Sequence, residues 1–235
     1  KSCKSIQKRV VASDVFYTPV EVVRGAIDMV AGSILLYSNV ADFDGYTIDR
    51  VTWYDPFKGL GAYYDKYPLL IDAYGEYGGP DNERQRIACT KDWAEIVLGK
   101  DFYTYTPEWK KGDIKIICSN PPYSCLNAVV MRCIELEPDI INLTLGSMNL
   151  TRTRINLFKS SGYTLSKITI TDVKGWFGIT NIVQFEKIYN SPTTSCNYLV
   201  REDGKPYEYK PEIAIDIDSS YENEKECINC YSENP

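Results

Sequence analysis

The feature that most constrains this chain is a set of short, largely apolar runs separated by segments with helical spacing. "RVTWYD" (50–55), "WAEIVL" (93–98), "IKIIC" (114–118) and "DIINLTLG" (139–146) are long enough for strands and too short for helices. Such runs fit strands covered on both faces, as in a parallel sheet. "PVEVVRGAIDMVAGSI" (19–34), "SCLNAVVMRCIELE" (124–137) and "TRTRINLFKSSG" (151–162) have the apolar spacing of helices. Pro19 suits a helix start and Gly162 a helix stop. "YTLSKITITD" (163–172) and "TNIVQFEKIY" (180–189) read as an antiparallel pair. The expected fold is therefore an open α/β domain: a mostly parallel sheet ending in an antiparallel hairpin, with helices on both faces. Tyr64 to Thr90 reads as a long excursion outside the core. Residues 1–190 are expected to form one domain and 191–235 an acidic C-terminal extension.

Ligands of open α/β sheets bind beyond the carboxyl ends of the strands. Two unusual segments fall there. "IKIICSNPPYS" (114–124) finishes an apolar strand in Asn-Pro-Pro-Tyr. Neither proline has an N–H for a neighbouring strand, so both are wanted for their shape and carbonyls. "DPFKGLG" (55–61) sets Asp55 at a strand end and Gly59 and Gly61 where backbone must come close to a ligand. No G-K-[ST] follows, so this is not a phosphate loop. Its acid suits a cationic or amino-bearing ligand. Glu95, on the next apolar run, is placed to take two ribose hydroxyls. Asp101 could accept from an adenine amino group, with Phe102 against the ring. Alone, Glu95 and Asp101 would each more often be a solvated surface group than a ligand contact.

Composition narrows the chemistry. The chain has no histidine, which excludes Ser-His and Cys-His nucleophilic mechanisms and most catalytic zinc sites. Cys227 and Cys230 have C-x-x-C spacing without a second pair, so no metal site is expected. The eight cysteines sit mostly in apolar or mixed segments, which suits a reducing intracellular compartment, the cytoplasm. No apolar run is long enough to span a membrane. Residues 201–235 hold ten acidic and four basic groups, and so carry the whole net charge of −6. The rest is neutral overall, with Arg152, Arg154, Lys159, Lys167 and Lys174 as candidates for a basic face.

Taken in order, five segments resemble the class I S-adenosylmethionine-dependent amino methyltransferases, especially DNA N6-adenine methyltransferases and their phage and viral relatives. "NPPY" is similar to their catalytic loop and "DPFKGLGAYYD" to their glycine motif. "FYTP" (16–19) resembles the segment that closes over the methionine end of the cofactor. "EIVLGKDF" (95–102) is similar to the ribose and adenine contacts, and "KGWFG" (174–178) to the late aromatic loop. The resemblance implies a Rossmann-like class I methyltransferase fold with S-adenosylmethionine held by Phe16, Tyr17, Thr18, Pro19, Asp55, Pro56, Phe57, Gly59, Gly61, Glu95, Asp101 and Phe102. It implies Asn120, Pro121, Pro122 and Tyr123 as the catalytic loop, with Tyr123, Trp176 and Phe177 against the target base. Asp72 or Glu76 could hold the ribose in place of Glu95. The implied partner is nucleic acid, DNA before RNA. With only a short acidic segment after the last motif, a protein partner could supply target recognition. Methylation of a protein glutamine and a non-catalytic nucleic-acid-binding subunit are the alternatives.

Overall fold

The computed structural model describes residues 17–44, 48, 50–73, 85–176, 178–187, 194–199 and 201–208. Phe16, Glu76, Phe177, Cys227 and Cys230 lie outside the described residues. Among the described residues, three helices, α1 (Val20–Asp44), α2 (Leu126–Glu135) and α3 (Arg152–Ser160), accompany eight strands. The strands are β1 (Arg50–Asp55), β2 (Leu70–Ala73), β3 (Gln85–Trp93), β4 (Ile114–Ser119), β5 (Ile140–Gly146), β6 (Thr164–Thr171), β7 (Thr180–Glu186) and β8 (Ser195–Leu199). They form one sheet in the order β2-β3-β1-β4-β5-β7-β6-β8. The pairs β3·β1, β1·β4, β4·β5 and β6·β8 are parallel, whereas β2·β3, β5·β7 and β7·β6 are antiparallel.

Strand alternation divides the core into two layers. Val51, Trp53, Ile116, Cys118, Ile140 and Ile182 face α1. Tyr54, Ile117, Ile141, Leu143, Val183 and Phe185 face α2 and α3. Because each central strand is buried on both faces, its sequence reads as a largely apolar run, with buried polar residues such as Asn142 and Gln184 hydrogen-bonded to each other. On α1 the buried stripe is Val22, Val23, Ala26, Ile27, Val30, Ile34 and Tyr37, the spacing of one helical face. Pro19 stands one residue ahead of that helix, and its carbonyl accepts from the N–H groups of Val22 and Val23 at 3.1 Å. Under α1 lies a polar cluster in which Glu186 accepts from Ser33 at 2.7 Å, Ser166 at 2.8 Å, Tyr37 and Gln184. Burial would raise the Glu186 pKa, but these four bonds hold it below the usual glutamate value.

The expected architecture is the one observed: a Rossmann-like, mostly parallel sheet with an antiparallel β6·β7 pair and helices on both faces. Three local expectations are corrected. "WAEIVL" is not a strand. The strand is β3, which begins at Gln85 and ends at Trp93, and Ile96–Leu98 form an exposed 3-10 turn capped by the Glu95 carboxylate. Tyr64 to Thr90 is therefore no mere excursion, since it supplies an edge hairpin whose Ile71, Ile87 and Cys89 enter the core. Beyond residue 190 the sheet continues, because β8 pairs with β6.

The chain order reverses between β1 and β4: β1 is followed by strands on one side, β4 by strands on the other. Loops leaving the carboxyl ends of these neighbours diverge and open a crevice. Asp55 ends β1 and Asn120 follows β4, so the two motif loops share that crevice.

Candidate active site

Asp55 is the most perturbed acid at the crevice. Its side chain is fully buried, with Oδ1 accepting from Ser119 Oγ at 2.6 Å and from the Phe57 N–H at 3.2 Å. Oδ2 has no hydrogen-bond partner among the described residues. Burial pushes the pKa up to about 7, against the bonds from Ser119 and Phe57 and the nearby Tyr64 N–H, and the Glu95 charge adds to the rise. A buried carboxylate with one open oxygen is suited to a cationic ligand, which would restore its ionisation.

The glycine turn is fastened to the end of β3. Ala94 N–H donates to the Asp55 carbonyl at 2.8 Å, and Lys58 N–H donates to that of Ala94 at 3.1 Å. Glu95 completes the link, with Oε2 accepting from the Gly59 N–H at 2.9 Å and Oε1 from that of Val97 at 3.3 Å. Gly61 has φ +84°, a conformation that residues with a Cβ rarely adopt, and a Cβ there would also have to push aside the Asp65 carboxylate, 2.5 Å away. Pro56 is buried and Phe57 half-buried within the same turn.

Across the crevice, the Asn120 amide nitrogen donates to Thr18 Oγ1 at 3.2 Å. This bond joins residues 102 positions apart and brings the segment before α1 onto the Asn-Pro-Pro-Tyr loop. Thr18 and Pro19 are buried, and Tyr17 is exposed beside them. Pro121 is buried, and Pro122 is extended at φ −65°, ψ 128° before the 3-10 turn Tyr123–Cys125. Tyr123 is half-buried, its hydroxyl donating to the Thr144 carbonyl at 3.4 Å. Burial pushes its pKa well above the usual tyrosine value, so it stays neutral. Beneath the crevice, Tyr67 stacks on Trp53 at 5.0 Å and donates to the Cys118 carbonyl, while the Tyr63 hydroxyl pairs with Thr144 Oγ1 at 2.5 Å. Tyr63 and Tyr67 form this floor without any sequence signal beyond aromatic residues in a tyrosine-rich stretch.

The structure does not bring every expected residue to the crevice in its expected role. Phe102 is a core residue, 3% exposed, with its ring edge-on to Phe57 at 4.9 Å, so it supports the glycine turn and presents no open face to a ligand. Asp101 accepts from the Tyr103 N–H at 3.0 Å in a local turn and remains half-buried. Trp176 is half-buried against the α1 layer. Asp72 pairs with Arg86 near the amino end of β3, the wrong end of the sheet for a ribose. Among the described residues, the candidates for a basic face do not share one surface. Lys167 reaches beneath α1 to Ser33 Oγ at 2.6 Å, while α3, carrying Arg152, Arg154 and Lys159, packs on the opposite layer. Lys174 is paired with Glu208 at 2.7 Å.

No family model matches the sequence, and no curated protein does. Solved structures with a similar fold include a candidate RNA methyltransferase from Pyrococcus horikoshii (12% identity, TM-score 0.40, 68% of this chain and 84% of that one). The modification subunit of a candidate type I restriction enzyme from Vibrio vulnificus YJ016 matches at 12% identity and TM-score 0.44, over 99% of this chain and 56% of that one. Magnesium protoporphyrin IX methyltransferase from Synechocystis PCC 6803, solved with bound SAM, matches at 12% identity and TM-score 0.37, over 79% and 92%. Likenesses this distant carry no argument about ligand or reaction, which rests on the chain's own residues.

Proposed function

We propose that this chain is an S-adenosylmethionine-dependent methyltransferase acting on the exocyclic N6 amine of adenine in DNA. The observation that carries the reading is the Thr18–Asn120 bond, which brings the described part of "FYTP", residues 17–19, and the "NPPY" loop onto one crevice beside the buried Asp55. The residues present fit the cofactor. Asp55, with its unpartnered oxygen, suits a cation; Glu95, beside the glycine turn, is the acid we assign to the ribose; and Thr18, with Tyr17 and Pro19 next to it, borders the crevice from the α1 side. When bound, S-adenosylmethionine supplies an already activated methyl group.

The chain's own task is positioning and electrostatics. An exocyclic amine is a poor nucleophile because its lone pair is delocalised into the base. With the Asn120 nitrogen committed to Thr18, its Oδ1 is the acceptor of that amide, and the Pro121 carbonyl is a second acceptor in the same loop. Accepting from the two amine hydrogens draws the nitrogen towards a tetrahedral, nucleophilic form. The two prolines limit the loop's freedom and so the entropy lost in ordering it. The half-buried Tyr123 offers a ring against which an unstacked base can lie.

The test is incubation with methyl-labelled cofactor and separate DNA, RNA and protein acceptors. Label is expected on adenine of DNA. Label on RNA adenine or on a protein glutamine would keep the enzyme class and change the acceptor. Failure of the folded protein to bind S-adenosylmethionine or its demethylated product would overturn the reading.

A further inference from the structure

Three lysines and three aromatic rings alternate around the carboxyl end of β3. Lys91 Nζ lies 4.5 Å from the centre of the Tyr64 ring, and Lys58 Nζ lies 5.1 Å from Tyr64 and 4.7 Å from Trp93. Lys100 Nζ lies 4.7 Å from Trp93 and 4.0 Å from Tyr105. Five contacts join six residues at 4.0–5.1 Å, all within the roughly 6 Å reach of a cation–ring interaction. All six side chains are half-buried and reach solvent.

The charges on this ladder are unequal. Asp92 pairs with Lys100 at 2.6 Å and accepts from the Tyr105 hydroxyl at 2.6 Å, so that rung is neutralised. Lys58 and Lys91 have no acidic partner among the described residues, and Lys91 donates only to the Tyr64 carbonyl at 3.2 Å. Beside them, the Glu95–Gly59 bond sets two turns together whose apolar side chains face solvent: Leu60 is 56% exposed, Ile96 44%, Val97 53% and Leu98 46%.

We propose that this surface docks a single nucleic-acid strand, with Lys58 and Lys91 on its phosphates and the Leu60 and Ile96–Leu98 turns against its bases. The inference rests on the nucleic-acid reading above and deepens it. A duplex would satisfy the lysines but hides its base faces, whereas a single strand presents phosphate and exposed base together. The apolar turns therefore select the single strand.

The test uses labelled oligo(dT), which contains no adenine and so reports docking without the methylation pocket. Binding by anisotropy is expected with a salt slope of about −1.4, two phosphates at about −0.7 each. The double variant Lys58→Gln/Lys91→Gln should abolish the slope and lower affinity at low salt by about tenfold, and the Lys58→Arg/Lys91→Arg pair should restore both. An unchanged melting temperature in the Gln pair separates this loss from misfolding. Absence of oligo(dT) binding, equal binding by wild type and the Gln pair, or stronger binding of duplex would overturn the proposal. Polyglutamate competing as well as oligo(dT) would also overturn it, in favour of an acidic protein partner. Methyl transfer to a short adenine acceptor, assayed on the same samples, separates the two claims. Transfer with lysine-independent docking sinks only the ladder, and lysine-dependent docking without transfer sinks only the enzyme reading.

Discussion

Two aspartates mark the opposite ends of the β1–β4 pair and are treated in opposite ways. Asp113, just before β4, accepts from Arg50 Nε at 2.7 Å and from Thr52 Oγ1 at 2.5 Å. Burial works to raise its pKa, but the Arg50 and Thr52 bonds and the Arg50 charge hold it below the usual aspartate value. Asp55, at the end of β1, has no cation paired with it and one oxygen without a partner among the described residues, and burial pushes it up to about 7. Both carboxylates are removed from water. The difference is that one end of the sheet is electrostatically finished and the other is left incomplete. Incomplete satisfaction of a buried acid costs stability, and such a cost is commonly found where a ligand completes the set.

The two ends should differ most in their response to pH. Asp55 binds its proton more tightly folded than unfolded, so the ligand-free protein should lose stability as pH rises from about 4 to about 7, on the order of 4 kcal/mol from this group. Asp55→Asn should remove that loss, raising the melting temperature at pH 8 and changing little at pH 5. The same variant should weaken binding of the cationic cofactor. Equal melting of wild type and variant at pH 8 would show that Asp55 is not the strained end.

Next in size is chemistry. Asn120→Ala should lower turnover by about 10²–10³-fold, roughly 3–4 kcal/mol, as for removal of one transition-state partner, while cofactor affinity stays within a few-fold. Near-normal turnover would show that Asn120 does not act on the amine. Asp113→Asn probes the finished end. Its pairing contributes stability that is present above the ordinary aspartate value of 3.8 and lost as pH falls below it. Urea unfolding at pH 7 should show a loss of about 1–3 kcal/mol, at the lower end because Arg50 is 33% exposed, with turnover per folded molecule unchanged. The smallest effect belongs to Thr18→Val, which deletes one neutral hydrogen bond to Asn120. The loss of about 1 kcal/mol should appear as a several-fold fall in kcat, with global stability lowered by no more than the same amount.

Much of the fold was legible because its strands are buried on both faces and its helices on one. β1, β4, β5, β6 and β7 coincide with apolar runs, and α1, α2 and α3 with helical spacing. β3 was misplaced because apolarity misled. Ile96, Val97 and Leu98 look like core and are exposed, while Gln85 to Trp93, mixed in polarity, forms a strand with Ile87 and Cys89 turned inward. β8 went unread because this edge strand is mostly polar and exposed, and the short β2 because it adjoins the polar stretch "GEYGGPDNERQR". In the site, the two loops at the crevice were readable from Asn-Pro-Pro-Tyr and the glycine turn. Phe102 was misread because its sequence position beside Asp101 says nothing of the Phe57 ring that covers it.

Local properties of the chain settle the order of elements, the two strand ends at which backbone turns sharply, and a chemistry without histidine. Periodicity, proline and glycine geometry, and side-chain chemistry survive without knowledge of neighbours. Long-range packing was needed to set Thr18 on Asn120, to close Glu95 on Gly59, and to gather Lys58, Lys91 and Lys100 on one strand end. It also selects which aspartate is finished and which is left open. A carboxylate's state depends on the water it loses and the donors it meets, and both are set by residues far along the chain: Ser119 for Asp55, 64 positions away, and Arg50 for Asp113, 63 positions away.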